Sequence, residues 1–517
     1  MIKVWSDLIL SGRLDRLNDR GTTFSYDPGA DPLQAVSVTM PVRLQSWDAR
    51  QGLLPIFEMN LPEGYLRDRI SRQFAKSLGK FDDFDLLSVI GRTQMGRLRY
   101  SGIHEKPDED VPFQAIDDIL KSRRDGELFD YLLEKFTSYS GISGVQPKVL
   151  VRDNMSDAGT RMSPSFRGAT HIVKLWDPRE YPELAANEFF CLMAAARAGL
   201  DVPRHRLSEG GEALVIDRFD LKEDGHYIGM EDFCVLNGRN TNRKYDGSYE
   251  SAVMKRAADF LGPEEWSRQG PDLYKLIVLN CILRNGDAHL KNFALLYDDV
   301  NGRLRLAPVY DVVTTTAYLP KDQMALVMNG SSKWPDRQRL TDLGRRAGLS
   351  AQKAGDIIDQ VAQAAASTRA DLAEHVNQSP AFRDIAPQIA AAWETGLKDS
   401  ALSDDLIHAM PETAQPLCVD ITHDVALKNR VLADITALPS FRVAEIEQAT
   451  RERLKELEEL PKPSRLELQE KRGLLAGLKL IDQVKPGVSQ SSDTPGSQSK
   501  KTNALKGVSR HCFTQKF

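Results

Sequence analysis

The sequence predicts an α+β chain with a β-containing first module, a sheet-rich middle and a mostly helical remainder. Three observations predict this order. Short runs rich in β-branched and apolar residues, such as AVSVTMPV at 35–42, HIVKLW at 171–176 and ALVIDRF at 213–219, recur before residue 220. Glu183–Gly199 carries apolar residues at helical spacing, with Gly199 where a C-terminal cap belongs. From about residue 250 onward the chain reads as helix, interrupted by one hairpin.

The elements follow in order. Ala35–Val42 reads as a strand. Leu53–Ile70 contains Pro62 and runs into a charged helical stretch, Glu63–Gly79. Phe84–Ile90 is a short apolar element ending at Gly91, and Arg97–Tyr100 is a closing strand. The polar stretch 103–112 reads as a linker. A helix over Glu127–Thr137 leads to a small-residue loop, Ser138–Gly144, and a strand, Lys148–Arg152. A polar loop over 153–169 precedes the strand at 171–176. Asp272–Leu283 is an apolar helix, followed by a polar loop, Arg284–Asn292. Phe293–Tyr297 and Leu304–Val309 flank Asn301-Gly302, a strong hairpin signal. Helices fill 337–440, and Arg442–Leu460 is a charged, solvent-facing helix broken at Pro461–Pro463. Beyond 484 the Ser, Gly, Gln and Lys content predicts disorder. The domains so defined are 1–103, 104–235, 236–445, a helical extension over 446–484 and a basic tail over 485–517.

The chain has 517 residues and a net charge of -5, ordinary for a globular protein with roughly two to four structural units. Bulk charge gives no argument for nucleic-acid binding. The basic tail (Lys500, Lys501, Lys506, Arg510, Lys516) reads first as a solvated segment. The five cysteines are scattered and form no CxxC, which points to a reduced, intracellular protein. The start, MIKVWSDLIL, is no signal peptide. Leu273–Leu283 is too short to span a bilayer. A cytoplasmic chain without a membrane partner is expected.

The chemistry concentrates in RNGDAHLKNF at 284–293 and PVYDVV at 308–313. Phosphoryl transfer needs a carboxylate at the attacking hydroxyl and oxygen ligands that hold magnesium against nucleotide phosphates. Asp287, then Asn292 five residues later, then Asp311 beyond a hairpin supply these groups. Either loop residue alone reads as a turn cap; the set with the hairpin is far more specific. His289 packs to hold the loop or carries a proton. Lys291 neutralises phosphate or is solvated. In Ser138-Tyr-Ser-Gly-Ile-Ser-Gly144, glycine-containing turns can present backbone N–H groups to phosphates. Lys174 lies in an apolar strand, where a lysine is costly unless it is paired or functional; Glu188 on the next helix is a candidate partner. Glu231-Asp-Phe233 offers backbone and an aromatic surface near an adenine, or is an ordinary connection.

Taken together, SGVQPK at 143–148, HIVKL at 171–175, NEFFC at 187–191, DRFD at 217–220, MEDF at 230–233, GDAHLKNF at 286–293 and PVYDVV at 308–313 make the chain resemble the HipA-like toxin serine/threonine kinases of bacterial type II toxin–antitoxin systems. The stretch LLPIFEMNLPEGYLRDRI at 53–70 resembles that family's N-terminal subdomain. The resemblance implies a two-lobed kinase fold, related also to phosphoinositide kinases. It implies ATP and magnesium as cofactors, with Asp287 as catalytic base and Asn292 and Asp311 on the metal. Lys174 would contact ATP phosphates, and Glu231 and Phe233 would lie at the hinge. Ser143, Gly144, His289 and Lys291 complete the expected nucleotide site. The resemblance further implies a protein substrate of translation, such as an aminoacyl-tRNA synthetase. It implies a small helix-turn-helix antitoxin, operator DNA met only through that antitoxin, and autophosphorylation of a loop serine. One well-known form of the family has serine three residues before the loop's GxQ glycine; this chain has Gly141. Ser143 is therefore the first autophosphorylation candidate and Ser140 the second. A small-molecule or lipid kinase on the same scaffold, or a catalytically silent co-repressor, remain as alternatives.

Overall fold

The computed structural model describes residues 1–17, 20–78, 81–122, 127–153, 166–176, 181–401, 440–459 and 465–484. Most of the loop expected over 153–169, the break at Pro461–Pro463 and the tail beyond 484 lie outside them.

The first module is an antiparallel sheet of β1 (Ile2–Ser6), β2 (Ile9–Arg16), β3 (Thr22–Tyr26), β4 (Trp47–Ala49) and β5 (Leu98–Ser101), in the order β4-β3-β2-β1-β5. The pleat sends Ile2, Val4 and Ser6 inward while Lys3 and Trp5 are half-buried. Helices α1 (Pro55–Glu58), α2 (Gly64–Leu78) and α3 (Asp83–Ile90) complete the module. Phe24 packs on Phe57 of α1, with ring centroids 5.1 Å apart. Asp82 caps α3 by accepting from Asp85 N at 3.1 Å, so the apolar element at 84–90 is a helix.

Ala35–Val42 is not a strand. A short helical turn at Pro32–Gln34 leads into a tight turn in which Ser37 and Met40 pair. The reason is a distant carboxylate: Val38 N and Ser37 Oγ donate to Glu231 at 2.8 and 2.7 Å. A tertiary partner takes the backbone hydrogen bonds that a neighbouring strand would have used.

Helices α4 (Ile116–Leu120) and α5 (Glu127–Phe136) lead to a second antiparallel sheet. It comprises β6 (Lys148–Val151), β7 (His171–Lys174), β8 (His205–Leu207) and β9 (Leu214–Asp217), in the order β6-β7-β9-β8. Between β7 and β8 lies α6 (Leu184–Arg197), the predicted helix. A third sheet, β10 (Gly229–Asp232), β11 (Ala294–Tyr297) and β12 (Leu304–Leu306), contains the predicted hairpin as β11–β12.

The helical lobe contains α7 (Phe233–Leu236), α8 (Arg256–Ile282), α9 (Arg337–Arg346), α10 (Ala351–Gln378) and α11 (Ala386–Ser400). Helix α8 begins well before the apolar stretch that announces it. It kinks at Gly262, whose φ of 73° only glycine adopts readily, and Pro263 follows where the helix restarts. Its second half is core: Leu273, Tyr274, Ile277, Val278 and Ile282 are buried. Two further helices cover Ser440–Glu458 and Arg465–Val484, the first packed on α10. Among the described residues, no helix is long and apolar enough to cross a membrane. Cys191, Cys234 and Cys281 are buried free thiols.

Candidate active site

The end of α8 sets the site's shape. Arg284 leaves the helix in a left-handed conformation (φ 58°), and its guanidinium is anchored by Asp399 and by Thr395 O at 3.1 Å. The loop beyond is tied to itself. Asn285 Nδ2 donates to Asn280 Oδ1 (2.7 Å), Gly286 N to Thr315 Oγ1 (2.7 Å), and Asp287 N to Asn285 Oδ1 (3.1 Å). His289 N donates to Asn292 Oδ1 at 3.0 Å. The result is selective exposure: of residues 277–297, Asp287 alone is exposed.

The Asp287 carboxylate accepts from the Tyr245 hydroxyl at 2.7 Å. Crowding by protein raises its pKa to about 6, against the lowering effect of that hydrogen bond and with the Asp311 charge adding to the rise. The Tyr245 ring also meets His289 edge-on, 5.2 Å between centroids. Burial, with the Lys244 charge, pushes the His289 imidazole down to about 3, so it is neutral at physiological pH.

Asp311 ends the segment after the hairpin at φ 60°, a backbone conformation costly for most side chains and tolerated best by Asn and Asp. That turn aims its carboxylate at three groups. Oδ1 lies 2.6 Å from Lys174 Nζ and 3.7 Å from Lys148 Nζ, and Oδ2 accepts from Asn292 Nδ2 at 3.2 Å. Burial would raise the Asp311 carboxyl, but Lys148 and Lys174 outweigh it and hold the group far below the usual carboxylate range. Lys174 also meets Glu188 of α6 at 2.5 Å, with both side chains buried. Burial disfavours the ammonium, yet Asp311 and Glu188 push it up to about 12. Among the described residues Lys148 has only the longer Asp311 contact, and burial pushes its ammonium down.

The Ser138–Gly144 loop closes over Lys148. Gly144 has φ 118°, and a Cβ there would collide with Lys148 Nζ. At Gly141 a Cβ would lie 2.5 Å from Thr93 O, so the serine found there in one form of the family resembled has no room. Ser140 is fully buried; it donates to Phe136 O at 2.8 Å and accepts from Leu150 N at 2.9 Å. Ser143 is half-buried and donates to Glu63 Oε1 at 3.1 Å.

The structure thus brings Asp287, Asn292, Asp311, Lys174 and the Gly144 loop together. Three further residues expected at the nucleotide site have their side chains engaged by protein. The Glu231 carboxylate is buried on Tyr297, Val38 and Ser37. Phe233 is core, its ring 6.3 Å from Phe293. Lys291 points to the first module, donating to Met59 O (3.1 Å), Thr241 Oγ1 (3.2 Å) and Glu63 (3.4 Å). Burial explains all three: each side chain found protein partners instead of an open cleft. Lys148, Glu63 and Tyr245 join the site without having been among its expected residues. Lysine in a fully buried strand was the available signal for Lys148; Glu63 and Tyr245 had none.

Among the described residues, no group of three or more His, Cys, Asp or Glu side chains is placed to hold a metal alone. Asp311 and Asn292 offer a carboxylate and an amide oxygen with a lone pair to spare. That partial set fits magnesium, which commonly takes its remaining ligands from phosphate oxygens and water.

A sheet-borne lysine paired with a helix glutamate, set against a loop that exposes one acid and backs it with Asn and Asp, defines a kinase. The chain belongs to the HipA family. Residues 2–101 match the HipA N-terminal domain and residues 140–369 the HipA-like C-terminal domain. It is 28% identical over 422 residues to "Putative kinase Y4mE" of Sinorhizobium fredii, covering 75% of this chain and 97% of that protein. It is 31% identical over 190 residues to a "Putative kinase" of Haemophilus influenzae, covering 34% of this chain and 53% of that one. Its fold is similar to a chain from the Shewanella oneidensis MR-1 complex of HipA, HipB and operator DNA. That match has a TM-score of 0.55 at 18% identity and covers 80% of this chain and 100% of that one.

Proposed function

We propose that the chain is a magnesium-dependent serine/threonine protein kinase and the toxin of a type II toxin–antitoxin pair. One observation carries the catalytic reading: Asp287 is the one exposed side chain of a buried loop, beside Asp311, Asn292 and the Lys174–Glu188 pair. The attacking hydroxyl oxygen of the substrate bonds to the γ-phosphorus of ATP as the bond to the β-phosphate oxygen breaks. ADP leaves, and the hydroxyl proton passes to the Asp287 carboxylate. A carboxyl near 6 is ionised at neutral pH yet basic enough to accept that proton. Lys174, held charged by Asp311 and Glu188, and Lys148 beneath the Gly144 loop face the phosphates. Asp311 and Asn292 would hold magnesium, which supplies charge neutralisation when bound.

The toxin role rests on the family. The substrate is a protein of translation, such as an aminoacyl-tRNA synthetase. The partner is a small helix-turn-helix antitoxin through which the chain meets operator DNA, as the Shewanella HipA stands with HipB and its operator. The chain acts in the cytoplasm. Ser143, half-buried, is the autophosphorylation site in preference to the sealed Ser140. The test is transfer of labelled phosphate from ATP and magnesium, wild type beside Asp287→Asn, with phosphopeptide mapping. Label on wild type alone, at Ser143, is expected. Equal label on both removes the mechanism.

A further inference from the structure

The Tyr245 phenol takes no part in the transfer described above, yet it touches the carboxylate that does. Its hydroxyl donates to Asp287 Oδ1 at 2.7 Å across 42 residues of chain, and Asp287 Oδ2 has no hydrogen-bond partner among the described residues. Tyr245 is 50% exposed, so water alone would satisfy its hydroxyl and the contact is no by-product of burial. The segment that carries it is built into the catalytic loop. Lys244 O accepts from Leu290 N at 3.0 Å. The Tyr245 ring lies edge-on to His289, with Lys244 Nζ 5.4 Å from its centroid. On the other side, the Asp246 carboxylate accepts from Arg243 Nε at 2.8 Å and its carbonyl accepts from Arg239. The backbone of the acid is held separately. Gly286 N donates to Thr315 Oγ1 at 2.7 Å, and Thr315 donates to Asp322 at 2.5 Å; a Cβ on Gly286 would collide with that Asp322 carboxylate.

We propose that Tyr245 is a positioning residue for the transfer: its hydroxyl occupies Asp287 Oδ1, fixes the carboxylate in one orientation and leaves Oδ2 to receive the proton of the attacking hydroxyl. The inference deepens the kinase reading and rests on it. Gly286 fixes the backbone and Tyr245 fixes the side chain, which turns a solvent-facing acid into an aimed one. Tyr245 keeps its own proton, because burial and the Asp287 charge hold the phenol well above its usual range. A hydroxyl on the base also sits where an acceptor hydroxyl would sit, so the tyrosine has two rival readings, a placeholder that substrate displaces and a self-substrate. The Leu290–Lys244 backbone bond disfavours both, since it makes the tyrosine move with the loop it would have to leave. The charges around Asp287 give the contact a signature. Burial sets the carboxyl at about 6; the Tyr245 hydrogen bond and Lys244 pull it down, Asp311 and Asp322 push it up, and the nearby His289 is neutral.

Tyr245→Phe in the full-length protein keeps the ring and removes the hydroxyl. The readout is the initial rate of label transfer from magnesium-ATP into the chain itself, followed against ATP concentration and against pH. The maximal rate should fall about tenfold to a hundredfold while the ATP concentration at half-maximal rate is unchanged. The acid limb of the profile should move up from about 6 by about one unit, the shift expected when an ionised acceptor loses a hydrogen bond. Tyr245→Leu, which removes the ring as well, should be no worse in rate than Tyr245→Phe. A Tyr245→Phe protein with wild-type rate and acid limb beside an impaired Tyr245→Leu makes the tyrosine a packing residue and overturns the proposal. A faster Tyr245→Phe identifies a placeholder, and label mapped to Tyr245 identifies a self-substrate; either result overturns it too. No label on wild type sinks the kinase reading itself, whereas label on wild type with Tyr245→Phe unaltered sinks this inference alone.

Discussion

Replacing Lys174 with methionine separates what the lysine does for catalysis from what it does for the fold. Glu188 is completely buried; its Oε1 meets Lys174 at 2.5 Å and its Oε2 has no hydrogen-bond partner among the described residues. Without the ammonium the carboxyl must stay protonated or stand charged in the core. Keeping it neutral costs about 1.4 kcal/mol for each pH unit above its unfolded pKa. Starting from 4.5, that comes to about 3–4 kcal/mol at pH 7, in line with the ~3–5 kcal/mol typical of a broken buried pair. The sign follows from the direction of the shift. A carboxyl whose folded pKa is raised favours the fold at low pH and disfavours it as pH climbs beyond 4.5. The Lys174→Met deficit should therefore be small at pH 5 and grow toward pH 7, read by urea unfolding at each pH. Adding Glu188→Gln should restore most of the stability and flatten the pH dependence, with no return of phosphate transfer. A deficit that is flat in pH, or a double variant no more stable than the single one, would refute this account of the pair.

Two further outcomes follow from the site. Asp287 must be ionised to accept a proton, so kcat/KM should fall about tenfold per unit below pH 6, read from a pH–rate profile with saturating magnesium. Because its pKa is raised in the fold, ionised Asp287 opposes folding, and Asp287→Asn should melt no lower than wild type at pH 7. Gly144→Ala places a side chain at φ 118° and against Lys148 Nζ; strain of about 1–3 kcal/mol should raise KM for ATP about tenfold or more and lower Tm by about a few degrees, as titration with ATP and a melting curve would show.

What could be read in the sequence was what is local. The loop at 284–292, the hairpin after it and the helix at 183–199 are each set by neighbours in the chain. So Asp287, Asn292 and Asp311 could be grouped before any geometry was known. The pairing of Lys174 with Glu188 was legible for a related reason: a lysine in an apolar strand demands an acid, and the next helix carries one. What escaped was settled at a distance. Val36 and Val38 look like a strand because nothing nearby shows that Glu231 will claim the adjacent donors. β1 and β2 hide because their outer faces carry Lys3, Arg13 and Asp15 among the apolar residues. The first half of α8 was masked by Gly262-Pro263, which reads as a stop and is a kink. Glu63 was invisible, since its partners lie 80, 181 and 228 residues away.

The claim of Glu231 on Val38, of Lys291 on Met59, and of Asn240 on Leu53 O bears on where this protein can be divided. Likeness to relatives draws a seam between residues 101 and 140. The forces do not follow it. A fragment beginning at 140 would carry the Lys244 and Lys291 ammonium groups without Glu63 and the Glu231 carboxylate with Tyr297 alone, all facing outward from what had been an interior. Expressed alone, it would be an insoluble remnant instead of a smaller enzyme, and the intact chain should melt its first module and its two lobes together.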